Sequence, residues 1–182
     1  QLLAVEKKEK YYTFLGKEDI ERHLPALVRK SNFNYSAFAG KTIEEVFGDK
    51  LFQTTLLTAN MPSSVLLVND GRGKYTLSKL PGQVQWSPVF AFCTADFNLD
   101  GQLDILTAGN FYGVLPFEGR YDAGYGNLLS GKNLSAISPM QSGLKISGEV
   151  RDIKKIKLAN GEQSLIIARN NDALLFYTWH QK

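Results

Sequence analysis

The spacing of apolar residues predicts helices near the start of the chain. Ile20, Leu24 and Val28 recur at four-residue intervals, which places them on one face of a helix. Pro25 falls inside this pattern, and proline is tolerated in the first turn of a helix but not in its interior. The pattern therefore predicts two short helices that meet near Leu24.

A second helix signal lies in the run Thr42-Ile43-Glu44-Glu45. A Thr followed three residues later by Glu forms a capping box, in which each side chain accepts a hydrogen bond from the backbone N–H of the other residue. Gly48 is a natural stop for this helix. The sequence thus predicts a helix over residues 42–48, within an N-terminal extension of residues 1–50.

After Leu51, runs rich in β-branched and aromatic residues alternate with Gly, Asn, Asp and Pro, which is typical of successive antiparallel strands. Three similar segments each end such a run, at residues 57–60, 106–110 and 167–170. A period of about 50 to 60 residues is typical of β-propeller blades. For residues 51–182 we predict a mainly β fold of about three propeller-like blades, a partial or open propeller.

The run of residues 96–104 joins two of the predicted strands and carries oxygen-bearing side chains at relative positions one, three, five and nine, with glycine at six. Calcium takes several oxygen ligands, and the glycine permits the tight turn that gathers them. An EF-hand needs a Glu at position twelve, where this chain has Thr107. The alternative is a hairpin turn of Asp, Asn and Gly that binds no metal. The side-chain donors are Asp96, Asn98, Asp100 and Asp104.

Composition argues against several classes of function. The formal charge is +3 over 182 residues and the basic residues are scattered, so nothing indicates nucleic acid as a partner. No apolar run approaches the roughly 20 residues of a membrane span. Cys93 is the only cysteine and His23 and His180 are the only histidines, so neither a disulfide framework nor a zinc site is expected. The first residue is Gln1 rather than Met, which is typical of a processed or truncated product.

The segment of residues 111–127 mixes aromatic residues with charged residues and glycines. A long loop of this composition can form a ligand surface, because aromatic rings stack on sugar faces or partner side chains while charges orient them. The alternative is that its aromatic residues only pack between neighbouring repeats. The candidate ligand-binding residues are Phe111, Tyr112, Arg120, Tyr121, Asp122 and Tyr125.

The β region resembles the FG-GAP/VCBS repeat family of integrin-α-like β-propeller repeats, in its bacterial, Bacteroidetes-type form. The resemblance rests on residues 96–105, 69–75 and 109–113 and covers residues 51–180. It implies propeller blades, one structural calcium ion, and a secreted, periplasmic or outer-membrane location. It also implies that the four donors above bind the ion through their side chains and that Gln102 contributes its backbone carbonyl. Asn98 replaces a frequent Asp, which lowers the ligand charge.

The number of repeats and the ligand surface suggest a role outside catalysis. Propellers usually close with four to eight blades, so we expect that this chain is the C-terminal portion of a longer protein, that its blades form an open stack, or that several copies together complete a propeller.

The favoured function is a non-catalytic, calcium-stabilised module that binds protein or glycan at the cell envelope. One alternative is a polysaccharide-active enzyme or its accessory domain, with Glu118, Asp122 and Glu149 as the acids. Another is a structural oligomerisation piece.

Overall fold

The computed structural model describes residues 3–28 and 34–179. The chain divides into two compact units, residues 1–60 and residues 61–182. The division follows Asn60 and not the predicted residue 50, since a 3-10 helix, Gly48–Gln53, continues the first unit across that position. Strands outweigh helices, 34% against 21%, and the paired strands are antiparallel, so the fold is mainly β, as predicted.

The first unit is a strand hairpin followed by short helices. Its two predicted helices are confirmed, because one ends at His23 and the next begins at Pro25. The capping box is confirmed as well, with Thr42 Oγ1 accepting the Glu45 N–H at 3.3 Å and Glu45 Oε2 accepting the Thr42 N–H at 2.9 Å. The elements are β1 Ala4–Lys7, β2 Lys10–Thr13, α1 Lys17–His23, α2 Pro25–Val28, α3 Tyr35–Phe38 and α4 Ile43–Phe47.

The second unit contains three antiparallel sheets. The first pairs β3 with β4, the second has the order β5-β6-β7-β8, and the third places β10 between β9 and β11. The elements are β3 Val65–Asn69, β4 Tyr75–Lys79, β5 Val89–Ala95, β6 Asp104–Gly109, β7 Asn127–Leu129, β8 Ala136–Ile137, α5 Pro139–Ser142, β9 Val150–Lys157, β10 Gln163–Arg169 and β11 Leu175–Thr178.

The β5–β6 and β9–β10 hairpins are built alike. The strand register shifts near the open end of each, between Val89 and Ala91 in one and between Ala168 and Arg169 in the other. The predicted hairpin turns at residues 69–71 and 160–161 also lie between paired strands, β3 with β4 and β9 with β10. Internal similarity in the sequence thus corresponds to a repeated hairpin in the structure.

An asparagine follows the second strand of each repeated hairpin. The N–H of Asn110 donates to the carbonyl of Pro88 at 3.1 Å, and the N–H of Asn170 donates to the carbonyl of Glu149 at 2.8 Å. Each bond reaches the residue just before the first strand of its hairpin. The prediction that residues 106–110 and 167–170 end strands is therefore confirmed. The prediction for residues 57–60 is wrong: they are irregular and largely exposed, with no partner strand to satisfy an extended backbone.

The core of the second unit lies between the four-stranded and three-stranded sheets. Along β5 the side chains alternate, with Ala91, Cys93 and Ala95 buried and Phe90 and Phe92 exposed, as expected of a strand with one covered face. Burial raises the pKa of the Cys93 thiol, which suits an inert core cysteine. The buried core comprises Ala91, Cys93, Leu106, Ala108, Leu128, Ile146, Val150, Ile153, Leu165 and Ile167.

Two further observations bear on the predictions from composition. In the described part of the chain, no helix has both the length and the apolar character needed to cross a membrane. His23 lies exposed at the end of α1, and His180 lies outside the described residues.

The core assignment predicts the effect of a cavity in β10. We expect Ile167→Ala to lower the free energy of unfolding by about 2–5 kcal/mol, because the side chain is fully buried and its removal leaves a cavity. Urea denaturation measures this change. Phe176→Ala on the adjacent β11 is the control, since that ring is 58% exposed and should change stability little. Equal losses in the two variants would contradict the assignment of this core.

Candidate functional site

The two stretches singled out in the sequence lie at opposite ends of β6. Residues 96–104, the acidic loop, end on the first residue of this strand, and residues 111–127, the aromatic segment, begin just after it. The first and last of the six residues of β6 are five intervals of roughly 3.4 Å apart, so the two ends of the strand are separated by about 17 Å. A metal in the acidic loop therefore could not touch a ligand held by the aromatic segment.

Asp104 anchors the acidic loop to the neighbouring turn. It is fully buried at the start of β6, where its Oδ2 accepts the N–H of Phe97 at 3.1 Å and its Oδ1 accepts the N–H of Gly131 at 2.9 Å. A Cβ on Gly131 would lie 2.3 Å from the carbonyl oxygen of Leu103, so only glycine allows this approach. One carboxylate thus joins the β5–β6 loop to the β7–β8 turn.

The other oxygen donors of the loop accept hydrogen bonds from the loop's own backbone. Asp96 Oδ1 and Asn98 Oδ1 both accept the N–H of Asp100, each at 3.0 Å, so the two oxygens lie on the same side of the turn. Asp96 Oδ2 accepts the N–H of Gly101 at 2.9 Å. Gly101 has a φ of +84°, a conformation that suits glycine.

Asp100 is the loop carboxylate with a basic partner. Its Oδ1 accepts the N–H of Gln102 at 2.9 Å, and its Oδ2 lies 3.2 Å from Nζ of Lys132. The hydrogen bond from Gln102, followed by that from the lysine, holds the pKa of Asp100 below its usual range. This carboxylate is therefore ionised at neutral pH and already faces one cation.

The donor chemistry of the acidic loop suits calcium, since the candidate ligands are all oxygen atoms. Among the described residues, however, no three His, Cys, Asp or Glu side chains are grouped in a way that could hold a metal ion. The corresponding β9–β10 hairpin lacks the acids, and Ser164 takes the buried place of Asp104, donating to the carbonyl of Tyr177 at 3.0 Å. Within the repeated hairpins, the acids are confined to one.

The aromatic segment is irregular and largely exposed. Phe111 and Tyr121 pair through two backbone hydrogen bonds of 2.9 and 3.0 Å, which closes the loop between them. Phe117 is 73% exposed, Tyr121 43% and Tyr125 48%. These three rings are therefore not fully covered by the rest of the second unit.

Asn110 fastens both ends of the aromatic segment to the scaffold. It is 2% exposed, its Nδ2 donates to the carbonyls of Gly124 at 2.8 Å and Gly148 at 3.1 Å, and its Oδ1 accepts the Gly124 N–H at 3.0 Å. The hydroxyl of Ser87 also donates to this Oδ1, at 2.5 Å. Asn110 adopts a φ of +76°, a conformation that asparagine tolerates better than most residues.

Glu149 is a second buried anchor. Its carboxylate accepts the N–H of Tyr112 at 2.7 Å, Nδ2 of Asn170 at 2.8 Å and Nη2 of Arg151 at 2.9 Å. The Tyr112 hydrogen bond, then the Asn170 bond and the Arg151 charge, hold the pKa of Glu149 below its usual range. A general acid of a glycosidase needs a raised pKa, so this residue suits an anchor better than an acid catalyst.

Three cations lie over aromatic rings in or beside the segment. The Arg120 guanidinium lies 5.0 Å from the Tyr112 ring centre, and Nζ of Lys145 lies 5.7 Å from that of Tyr125. The Arg151 guanidinium lies 4.4 Å from the Phe90 ring centre. Such contacts hold cations close to the faces of aromatic rings.

The structure brings most of the predicted ligand-binding residues together. Phe111 pairs with Tyr121, Arg120 lies over Tyr112, and Asp122 is exposed in the same segment. Of the acids considered for catalysis, Glu118 accepts a long 3.4 Å hydrogen bond from the Tyr121 hydroxyl. Sequence reasoning missed the anchoring role of Asn110 and the place of Lys145. The signal for Asn110 was present, because an asparagine recurs after the second strand of each repeated hairpin.

The hydrogen bonds that Tyr112 and Asn170 donate to the Glu149 carboxylate predict an acid-sensitive stability. A carboxyl group whose pKa is lower in the folded protein than in the unfolded chain stabilises the fold at pH values above the unfolded pKa of about 4.3. This stabilisation is lost as the pH falls through the pKa of the folded protein. We expect Glu149→Gln to lower the Tm by several degrees at pH 7, with the difference from the parent chain shrinking below about pH 4. Thermal melts by circular dichroism across pH 3–8 measure this, with Glu118→Gln as a charge-matched control. A Tm difference that stays constant over that range would refute the role of the ionised carboxylate.

Comparison of the chain with protein-family models, with curated proteins and with solved structures gave no match. The resemblance to FG-GAP/VCBS repeats therefore stays a prediction from the residues that carry it.

Proposed function

We propose that residues 61–182 form a non-catalytic, calcium-stabilised β-repeat module that binds a protein or glycan ligand at the cell envelope. The observation that carries this proposal is the aromatic segment, whose rings are exposed while its backbone is held by buried polar anchors. Binding residues commonly lie on loops that a rigid scaffold positions. A loop ordered in advance also loses less conformational entropy when a ligand binds.

The anchors support binding in preference to simple packing. Asn110 and Glu149 hold the backbone at Tyr112 and Gly124, near the two ends of the segment. The rings of Tyr121 and Tyr125 remain about half exposed. Aromatic rings that served only to fill a core would be covered, so this combination favours a surface that meets a partner.

The acids in this region favour binding over catalysis. Glu149 is saturated with three hydrogen-bond donors, and Glu118 faces the hydroxyl of Tyr121. Glycoside hydrolysis needs one carboxyl that stays protonated near neutral pH beside a second that is ionised. The environment of Glu149 stabilises its ionised form, which is unfavourable for the first of these roles.

Calcium is assigned to the acidic loop, with Asp96, Asn98, Asp100 and Asp104 as side-chain donors and Gln102 as a carbonyl donor. The support is that Asp96 and Asn98 direct oxygens to one side of the turn. A bound cation would offset the repulsion among carboxylates in a short loop. Its role is structural, because the loop lies at the far end of β6 from the aromatic segment.

The architecture assigned to this unit is a set of propeller-like blades. Sheet β5-β6-β7-β8 represents one blade, β9-β10-β11 a second that has three strands, and β3-β4 part of a third. The support is the repeated hairpin with its matching register shift and terminal asparagine. Secretion and envelope location rest on the family resemblance alone.

The calcium proposal predicts a metal-dependent melting temperature. At a hundredfold excess of calcium over its Kd, mass action adds about 2.7 kcal/mol, which corresponds to a Tm rise of about 5–10 °C for a chain of this size. Differential scanning calorimetry in millimolar calcium and in chelator measures the rise.

The matched variants for this experiment are Asp96→Asn, which should abolish the calcium-dependent rise, and Asp70→Asn, which should keep it. Asp70 lies in the β3–β4 turn and accepts the N–H groups of Arg72 and Lys74, so it is a loop aspartate outside the proposed site. A parent chain whose Tm is the same in calcium and in chelator would remove the metal from the proposed function.

The binding proposal predicts that ligand capture depends on the exposed tyrosines. In a screen of the full chain against a glycan array and a panel of envelope proteins, we expect Tyr121→Ala and Tyr125→Ala each to weaken capture about tenfold, because exposed aromatic anchors dominate binding energy. Phe176→Ala, an exposed ring on β11, is the control and should bind as the parent chain does. Capture that survives both tyrosine substitutions would place the ligand elsewhere.

A further inference from the structure

We infer that the ligand of the aromatic segment is an acidic glycan, an oligosaccharide whose rings carry carboxylates as well as hydroxyl groups. This inference rests on the proposed binding function and narrows its ligand to one chemical class. It follows from the charges that accompany the tyrosines and from where those charges lie.

Two cations at this surface are without a carboxylate partner. Arg120 and Lys145 are exposed, each lies over a tyrosine ring, and within the described residues neither forms an ion pair. Arg151, by contrast, is paired with Glu149 at 2.9 Å. A cation–π contact with a ring face is weaker than a charge-assisted hydrogen bond. A guanidinium can also bind a carboxylate through two parallel hydrogen bonds. Both cations are thus free to bind ligand anions.

The two tyrosines of these pairs are held by one short stretch of chain. The Tyr112 N–H is bonded to Glu149, and the Tyr125 carbonyl accepts the N–H of Ile146 at 2.8 Å. Residues 146 and 149 are three positions apart, so their Cα atoms are separated by at most about 11 Å. An oligosaccharide of several rings is long enough to extend from one pair toward the other.

The acids of the segment favour a glycan over an acidic peptide. Asp122 is exposed and Glu118 is half-buried, and both lie in the same loop as Arg120. Carboxylates accept hydrogen bonds from sugar hydroxyls, whereas they repel a peptide that presents mainly carboxylates. Tyrosine rings supply flat faces for the apolar side of a sugar ring. A surface that mixes both charges with tyrosines thus complements a ligand that carries hydroxyls, ring faces and carboxylates together.

Binding of labelled oligosaccharides to the full chain, measured by fluorescence anisotropy, tests the inference. The probes are a hyaluronan octasaccharide, which alternates glucuronate with N-acetylglucosamine, a chitin octasaccharide, which contains only N-acetylglucosamine, and an octaglutamate peptide. We expect hyaluronan to bind at least tenfold more tightly than either of the others. Arg120→Gln and Lys145→Gln should each weaken hyaluronan binding about tenfold, as the loss of a charge-assisted hydrogen bond does.

Lys157→Gln is the matched control and should leave binding unchanged, because Lys157 is an exposed lysine at the far end of β9. A Tm equal to that of the parent chain verifies the fold of each variant. Chitin binding as tight as hyaluronan binding would overturn the acidic class, as would hyaluronan binding that is insensitive to both substitutions. Tighter binding of octaglutamate than of hyaluronan would overturn the glycan assignment and indicate an acidic protein as the ligand. If none of the three probes binds, the inference of an acidic glycan is wrong, whereas the proposed binding function fails only if the wider glycan and protein screen also finds no ligand.

Discussion

Buried polar side chains at the ends of the strands are the constraint on which the second unit depends. Irregular backbone between strands leaves N–H and C=O groups that must find partners when they are covered. Asp104 satisfies such groups at one end of β6, and Asn110 and Glu149 do so at the other. Among the described residues, no buried side-chain nitrogen or oxygen lacks a hydrogen-bond partner. The loops are therefore ordered by specific bonds and need little apolar contact of their own.

This arrangement separates a stabilising end from a recognition end. At the acidic loop, one carboxylate joins two turns, and a cation would strengthen a link that hydrogen bonds already make. At the other end, the anchors leave exposed aromatic rings and two exposed cations that form no ion pair with any described residue. Because β6 runs between the two ends, a change in stability at the acidic loop and a change in ligand contact at the aromatic segment can be measured independently.

The β5–β6 and β9–β10 hairpins share one backbone junction but differ in the loop that joins their strands. In both copies the backbone N–H of the terminal asparagine closes the junction before the first strand, while its side chain holds a further group, the Gly124 carbonyl for Asn110 and the Glu149 carboxylate for Asn170. The acids are kept in one copy only, and Ser164 shows that a neutral residue can occupy the buried place of Asp104 when a carbonyl is there to accept its hydroxyl. The backbone junction is thus common to both hairpins, whereas the chemistry of the loop is free to vary.

Local signals in the sequence determined the parts of this protein that depend on neighbouring residues. Pro25 divided α1 from α2, Thr42 and Glu45 formed a capping box, and the Asn-Gly turn joined β9 to β10, because each acts within a few residues of chain. Only the tertiary structure decided which extended runs found partners. Residues 57–60 share the pattern of two strand ends yet pair with no strand in the described part of the chain, because strand pairing needs a second chain segment alongside. The role of Glu149 was decided in the same way, because two of its three partners, Tyr112 and Asn170, come from distant segments of the chain.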